Sequence, residues 1–138
     1  MPRLVVRASP IAGEGCFAAE AIAAGALVVE YTGEVIGAEE AYRREADTGR
    51  DGIYTFWLGE EAAIDAYGDE GPARFINHCC EPNCVYEIAD GRILILAARN
   101  IGAGEELTID YRYAAEGSPV VCRCGAGSCR GRINAMDD

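Results

Sequence analysis

Arg74-Phe75-Ile76-Asn77-His78-Cys79-Cys80-Glu81-Pro82-Asn83-Cys84 is the stretch on which the reading of this 138-residue chain turns. It holds the only histidine and three of the seven cysteines. Pro72 to Ile76 can lead into it with a helical turn or two. Residues adjacent on a strand or loop do not generally face each other, so His78 with Cys79 or Cys80 is a poor nucleophile–base pair, and no oxyanion motif follows. That argues against a thiol hydrolase. Taken alone, His78 is either a hydrogen-bonded core residue or a group that works on something bound.

Working outward, short apolar or β-branched runs alternate with glycine-containing turns: Leu4 to Val6, Leu27 to Tyr31, Tyr54 to Leu58, Val85 to Ile88, Ile93 to Ala97 and Leu107 to Ile109. These read as strands. One helix is expected over Ala38 to Asp47, alanine-rich with a charged face and ended by Thr48-Gly49. The fold class is therefore mainly β. Small and turn-forming residues from Ala115 to Pro119 precede a cysteine cluster, which sets the expected division at 1–114 and 115–138.

A chain of this length can bury roughly two thirds of the surface it exposes unfolded, enough for a core without disulfides. No apolar run approaches the roughly 20 residues of a membrane span, and the first ten residues lack a secretory hydrophobic stretch, so a soluble, cytoplasmic protein is expected. All 12 basic residues are arginine, against 23 acidic ones, for a net charge of -11. Direct nucleic-acid binding is disfavoured, and basic proteins are favoured as partners. The absence of lysine fits an enzyme that modifies lysine, but an Ala-, Gly- and Arg-rich coding bias explains it better and suggests a bacterial source.

Seven cysteines cannot all pair, and their uneven spacing suits metal in a reducing compartment. Cys122, Cys124 and Cys129 surround Gly125-Ala126-Gly127, a turn that lets three sulfurs converge. Tetrahedral Zn2+ needs a fourth ligand, and Cys84 is the candidate, because a distant ligand fastens the tail to the body. Cys16, Cys79 and Cys80 are left as buried or free thiols.

Four blocks in order resemble one family: Gly13-Glu14-Gly15-Cys16-Phe17 with Glu30-Tyr31-Thr32-Gly33-Glu34; Tyr54-Thr55-Phe56; Arg74 to Cys84; and Glu106-Leu107-Thr108-Ile109-Asp110-Tyr111. They resemble the SET domain of protein-lysine methyltransferases, and the cysteine tail resembles the post-SET segment. The resemblance implies several small β-sheets, with the third and fourth blocks packed in a knot-like crossing and a small zinc lobe after them. It implies S-adenosyl-L-methionine on one face and a lysine entering from the other, on a basic histone or histone-like tail. A catalytically silent module that binds basic peptides is the alternative. A bacterial member could also be exported to a host nucleus.

The resemblance carries roles over residue by residue. Tyr111 matches the catalytic tyrosine, with Tyr31 and Tyr54 lining the cofactor or lysine pocket. Gly13, Glu14, Gly15, Cys16 and Phe17 match the first cofactor segment, with Glu14 standing where relatives often carry a base and expected to face solvent. Arg74, Phe75, Asn77 and His78 match the second, and Cys79 replaces the commoner serine. Ile109 stands where relatives carry phenylalanine or tyrosine, which implies methylation beyond the first step. Ile133 matches the post-SET residue that closes over the lysine channel.

Overall fold

The computed structural model describes residues 2–11, 13–46, 55–68 and 71–110. The first hairpin pairs β1 (Leu4–Ala8) antiparallel with β2 (Glu14–Ala18), Arg7 opposite Gly15 and Ala8 opposite Glu14. Its loop closes through the Ser9 amide donating to the Gly13 carbonyl at 2.9 Å. Gly13 has φ +45°, a left-handed conformation that glycine adopts without a Cβ penalty.

The central sheet has the order β3-β9-β8, antiparallel throughout, from β3 (Leu27–Tyr31), β8 (Cys84–Ala89) and β9 (Arg92–Ala97). Asp90 and Gly91 join β8 to β9 with φ +53° and +73°. Two positive φ values in a two-residue loop match the right-handed twist of the strands, and Asp-Gly is a favoured pair for such a turn. Alternation sends Ile93, Ile95 and Ala97 inward, where they join Val28, Ile101, Leu107 and Ile109 in the main core.

A second sheet, order β4-β6-β5, is built from β4 (Glu34–Gly37), β5 (Thr55–Trp57) and β6 (Ala62–Asp65). Helix α1 (Ala38–Glu45) packs on it through Ala41, which is buried against Ile36, Ala63 and Trp57. Eight residues are too few for a stable helix in isolation. Glu39 and Glu40 in the first turn and Arg43 and Arg44 in the last complement its dipole. Arg44 anchors it by reaching Glu40 at 2.6 Å, Glu34 at 2.9 Å and the buried Asp65 at 2.8 Å.

A 3-10 turn over Pro72–Phe75 leads into β7 (Asn77–His78), which runs parallel to β10 (Thr108–Ile109), Asn77 opposite Thr108 and His78 opposite Ile109. The Cys79 amide extends this pairing by donating to the Ile109 carbonyl at 3.1 Å. The mainly β class with several small sheets is thus as expected, and the third and fourth sequence blocks lie side by side. The helix ends at Glu45, two residues before the expected limit. Strands β2, β4, β6 and β7 add to the runs read from sequence.

Candidate active site

Two short strands cannot hold a site by themselves, and side chains complete the crossing. Asn83, 4% exposed, lies beside Thr108. Its Oδ1 accepts from the Thr108 amide at 2.9 Å, its own amide donates to Thr108 Oγ1 at 3.2 Å, and its Nδ2 donates to the Glu106 carbonyl at 2.8 Å. The side chain therefore stands in for a strand neighbour and satisfies backbone groups that would otherwise be buried unpaired.

Asn77, half-buried, turns its amide nitrogen toward the first hairpin. Nδ2 lies 2.9 Å from Glu106 Oε2, 3.2 Å from the Glu14 carbonyl and 3.3 Å from Ser9 Oγ. The Ser9 hydroxyl stands 2.8 Å from both Glu106 oxygens and itself accepts from the Ile11 amide at 3.0 Å. Gly15 completes the cluster, since a Cβ there would overlap the Glu106 carboxylate. A methyl group at Gly15 would force the Glu106 carboxylate and Ser9 to shift, whereas a Cβ on Gly13 would meet nothing within 4 Å. Glu14 is exposed, and Cys16 and Phe17 turn their side chains into the interior. Burial, reinforced by Cys84 and Glu106, pushes the Cys16 thiol up to about 12.

His78 is buried, with Nδ1 3.5 Å from Asp110 Oδ1 and Nε2 3.5 Å from Cys80 Sγ. The acid on one side and the thiol on the other fix its ring, which suits a histidine that holds the site together. Arg74 lays its guanidinium 4.4 Å over the Phe75 ring. Tyr31, 7% exposed, packs 5.0 Å from Phe56, which meets Tyr86 edge-on at 4.7 Å. These rings form one aromatic wall on the inner side of the central sheet.

Several expected site residues, Tyr54, Tyr111, Cys122, Cys124, Cys129 and Ile133, lie outside the described residues. Ile109, expected to face the lysine channel, is 2% exposed and belongs to the main core cluster. Of the expected zinc ligands, only Cys84 is described. It is 1% exposed in the same core, and burial pushes its thiol up to about 11. Cys80, in the loop before it, is half-buried beside His78. No group of three or more metal-ligating side chains occurs among the described residues. Sequence reasoning gave no role to Ser9, Asn83 or Glu106; Asn83 and Glu106 stood inside the third and fourth blocks, whereas Ser9 carried no signal.

A crossing of two C-terminal segments over a glycine turn and an aromatic wall, among small sheets, defines a SET domain. The SET-domain family model matches residues 13–112, and the chain belongs to that family. It is 46% identical over 136 residues to a Kluyveromyces lactis protein named "Histone-lysine N-methyltransferase, H3 lysine-4 specific". It is 42% identical over 134 residues to human "Histone-lysine N-methyltransferase 2D" and 40% over 132 to Drosophila melanogaster "Histone-lysine N-methyltransferase trithorax". Each match covers 91% of this chain, but only 14%, 2% and 4% of those proteins respectively.

Proposed function

We propose that this SET domain transfers a methyl group from S-adenosylmethionine to a lysine on a histone or histone-like tail. The observation that carries this reading is the β7–β10 pairing. It sets Asn77 and His78 beside the segment that runs through Asp110 into Tyr111. The names of the relatives make histone H3, at lysine 4, the first substrate to try. The net charge of -11 favours a basic tail of this kind.

The residues present fit the cofactor by their chemistry. Arg74 supplies a half-buried cation for a carboxylate, Asn77 a half-buried amide, Phe75 an apolar ring, and the Gly13 turn a backbone with open space beside it. When bound, S-adenosylmethionine supplies an electrophilic methyl group on a cationic sulfonium. The protein's task is then to present a neutral amine in line. With an ordinary lysine pKa near 10.4, only about one amine in 2,500 is neutral at pH 7, a cost of roughly 4.6 kcal/mol. An apolar, aromatic surface such as that of Tyr31, Phe56 and Tyr86 disfavours the charged amine by desolvation. Tyr111 orients the amine through its hydroxyl; a phenol of ordinary pKa near 10 is a poor base at pH 7. Holding the reacting atoms in line can supply a large part of the rate.

Zinc belongs to the same proposal. Cys122, Cys124 and Cys129 form a donor set suited to tetrahedral Zn2+, with residues 115–138 as a post-SET lobe and Ile133 closing over the lysine. Cys84, at the start of β8, is the fourth ligand, which fastens this tail to the body of the domain. Isoleucine at position 109, with no hydroxyl to hold a water, supports products beyond monomethyl-lysine. The arginine-only basic complement supports a bacterial source.

The test is incubation of the purified chain with methyl-labelled cofactor and core histones, read by mass spectrometry. Methylated lysine is expected, lost at least a hundredfold in Tyr111→Phe. Failure both to bind the cofactor and to methylate any basic protein would sink the reading.

A further inference from the structure

One carboxylate joins the glycine hairpin to the Asn77 strand. Glu106, just ahead of β10, meets Ser9 of the hairpin loop, Gly15 of β2 and Asn77 of β7. Ser9 and Glu106 are 97 residues apart in sequence. A carboxylate accepts hydrogen bonds, so the Asn77 amide turns its nitrogen to Glu106, at 2.9 Å.

Ser9 carries the same constraint into the glycine turn. Its hydroxyl proton goes to Glu106, which leaves Oγ to accept from the Ile11 amide, while the Ser9 amide closes the loop on the Gly13 carbonyl. Gly15 packs against the carboxylate with no room for a methyl group. Two cofactor elements far apart in the chain thus share one anchor.

Resting on the methyltransferase reading above, we infer that Glu106 is a positioning residue. Through Ser9 and Asn77 it sets the affinity for S-adenosylmethionine and leaves the lysine side of the site untouched. Charge-assisted hydrogen bonds of this kind are stronger than neutral ones. Glu106→Gln keeps the shape but offers an amide N–H toward Ser9 or Asn77, so one of the bonds inverts or is lost.

The experiment measures S-adenosylmethionine binding by equilibrium dialysis, together with KM and kcat on a histone H3 peptide. Glu106→Gln is expected to raise the cofactor Kd and KM roughly tenfold. At saturating cofactor, kcat should stay within about twofold and the peptide KM should not move. Ser9→Ala should shift the cofactor KM in the same direction and Ser9→Thr restore it, and Ser9→Ala with Glu106→Gln should be less than additive. Thermal unfolding of each variant identifies any that fail to fold, and Ser9→Ala, which leaves the carboxylate in place, keeps the test open if Glu106→Gln is one of them. A wild-type chain that binds and methylates normally, with variants of unchanged cofactor affinity or with kcat alone reduced, overturns the inference and leaves the function standing. A wild-type chain that binds no cofactor overturns both.

Discussion

Asn83 and Thr108 exchange hydrogen bonds across the C-terminal crossing, Oδ1 to amide at 2.9 Å and amide to Oγ1 at 3.2 Å, in a place with almost no solvent. Asn83→Ala leaves the Thr108 N–H and the Glu106 carbonyl without this partner. The expected loss is about 2–6 kcal/mol of stability, since each of the two buried unpaired groups costs about 1–3. Asn83→Asp keeps the acceptor but sets a carboxylate against the Glu106 carbonyl, so it should be at least as damaging at neutral pH. Urea denaturation measures both, and a loss under about 1 kcal/mol for the alanine variant would show that the clasp is dispensable.

The two glycines of the first block should respond differently to alanine. Gly13→Ala meets no atoms and is penalised only through its positive φ, by about 1–2 kcal/mol. Gly15→Ala collides with the Glu106 carboxylate and the Ser9 Cβ, in the cluster that holds Asn77. It should therefore weaken cofactor binding by tenfold or more, whereas Gly13→Ala weakens it less. Equal effects in a cofactor titration would mean that the Gly15 contact relaxes at little cost.

What could be read from the sequence follows from the range of each interaction. The β8–β9 hairpin was legible because two alternating runs flank Asp90-Gly91, a local turn signal. Helix α1 was legible from composition and charge order. Strand β7 was not, because two residues show no periodicity and its existence depends on a partner about thirty residues away. Likewise β6, Ala-Ala-Ile-Asp, has weak strand propensity and is held by β4 and β5 on either side. In the site, Asn77 and His78 were legible by resemblance, while Ser9 was silent because its partner lies at the far end of the chain.

Cys16 gives the fold an alkaline limit. Its thiol titrates near 8.5 when unfolded but is pushed up to about 12 in the folded chain, so the unfolded state loses its proton first. Its contribution is complete below about pH 8.5 and is lost as pH rises toward 12. Wild-type stability should therefore fall through this window. Cys16→Ala should be less stable at pH 7, by about 1 kcal/mol or more, yet show a shallower decline above pH 9. Chemical denaturation at pH 7, 9 and 10.5 provides the comparison, with the tyrosines and the other cysteines common to both proteins. Parallel declines would show that Cys16 is accessible to base in the folded chain.

Cys84 and Cys80 separate the zinc proposal from core packing. If Cys84 completes the site with Cys122, Cys124 and Cys129, Cys84→Ser should lose bound zinc and most activity. Cys124→Ser or chelation should do the same. Cys84→Ser should also lose about 1–3 kcal/mol of stability, because Cys84 is buried in the main core and the new hydroxyl enters apolar surroundings. Cys80→Ser should keep both its zinc and its β sheets, because Cys80 lies outside the main core cluster. Metal content by mass spectrometry, read beside circular dichroism and methyl transfer, distinguishes the cases. Zinc retained in Cys84→Ser and lost from Cys80→Ser would assign the fourth ligand to Cys80 instead.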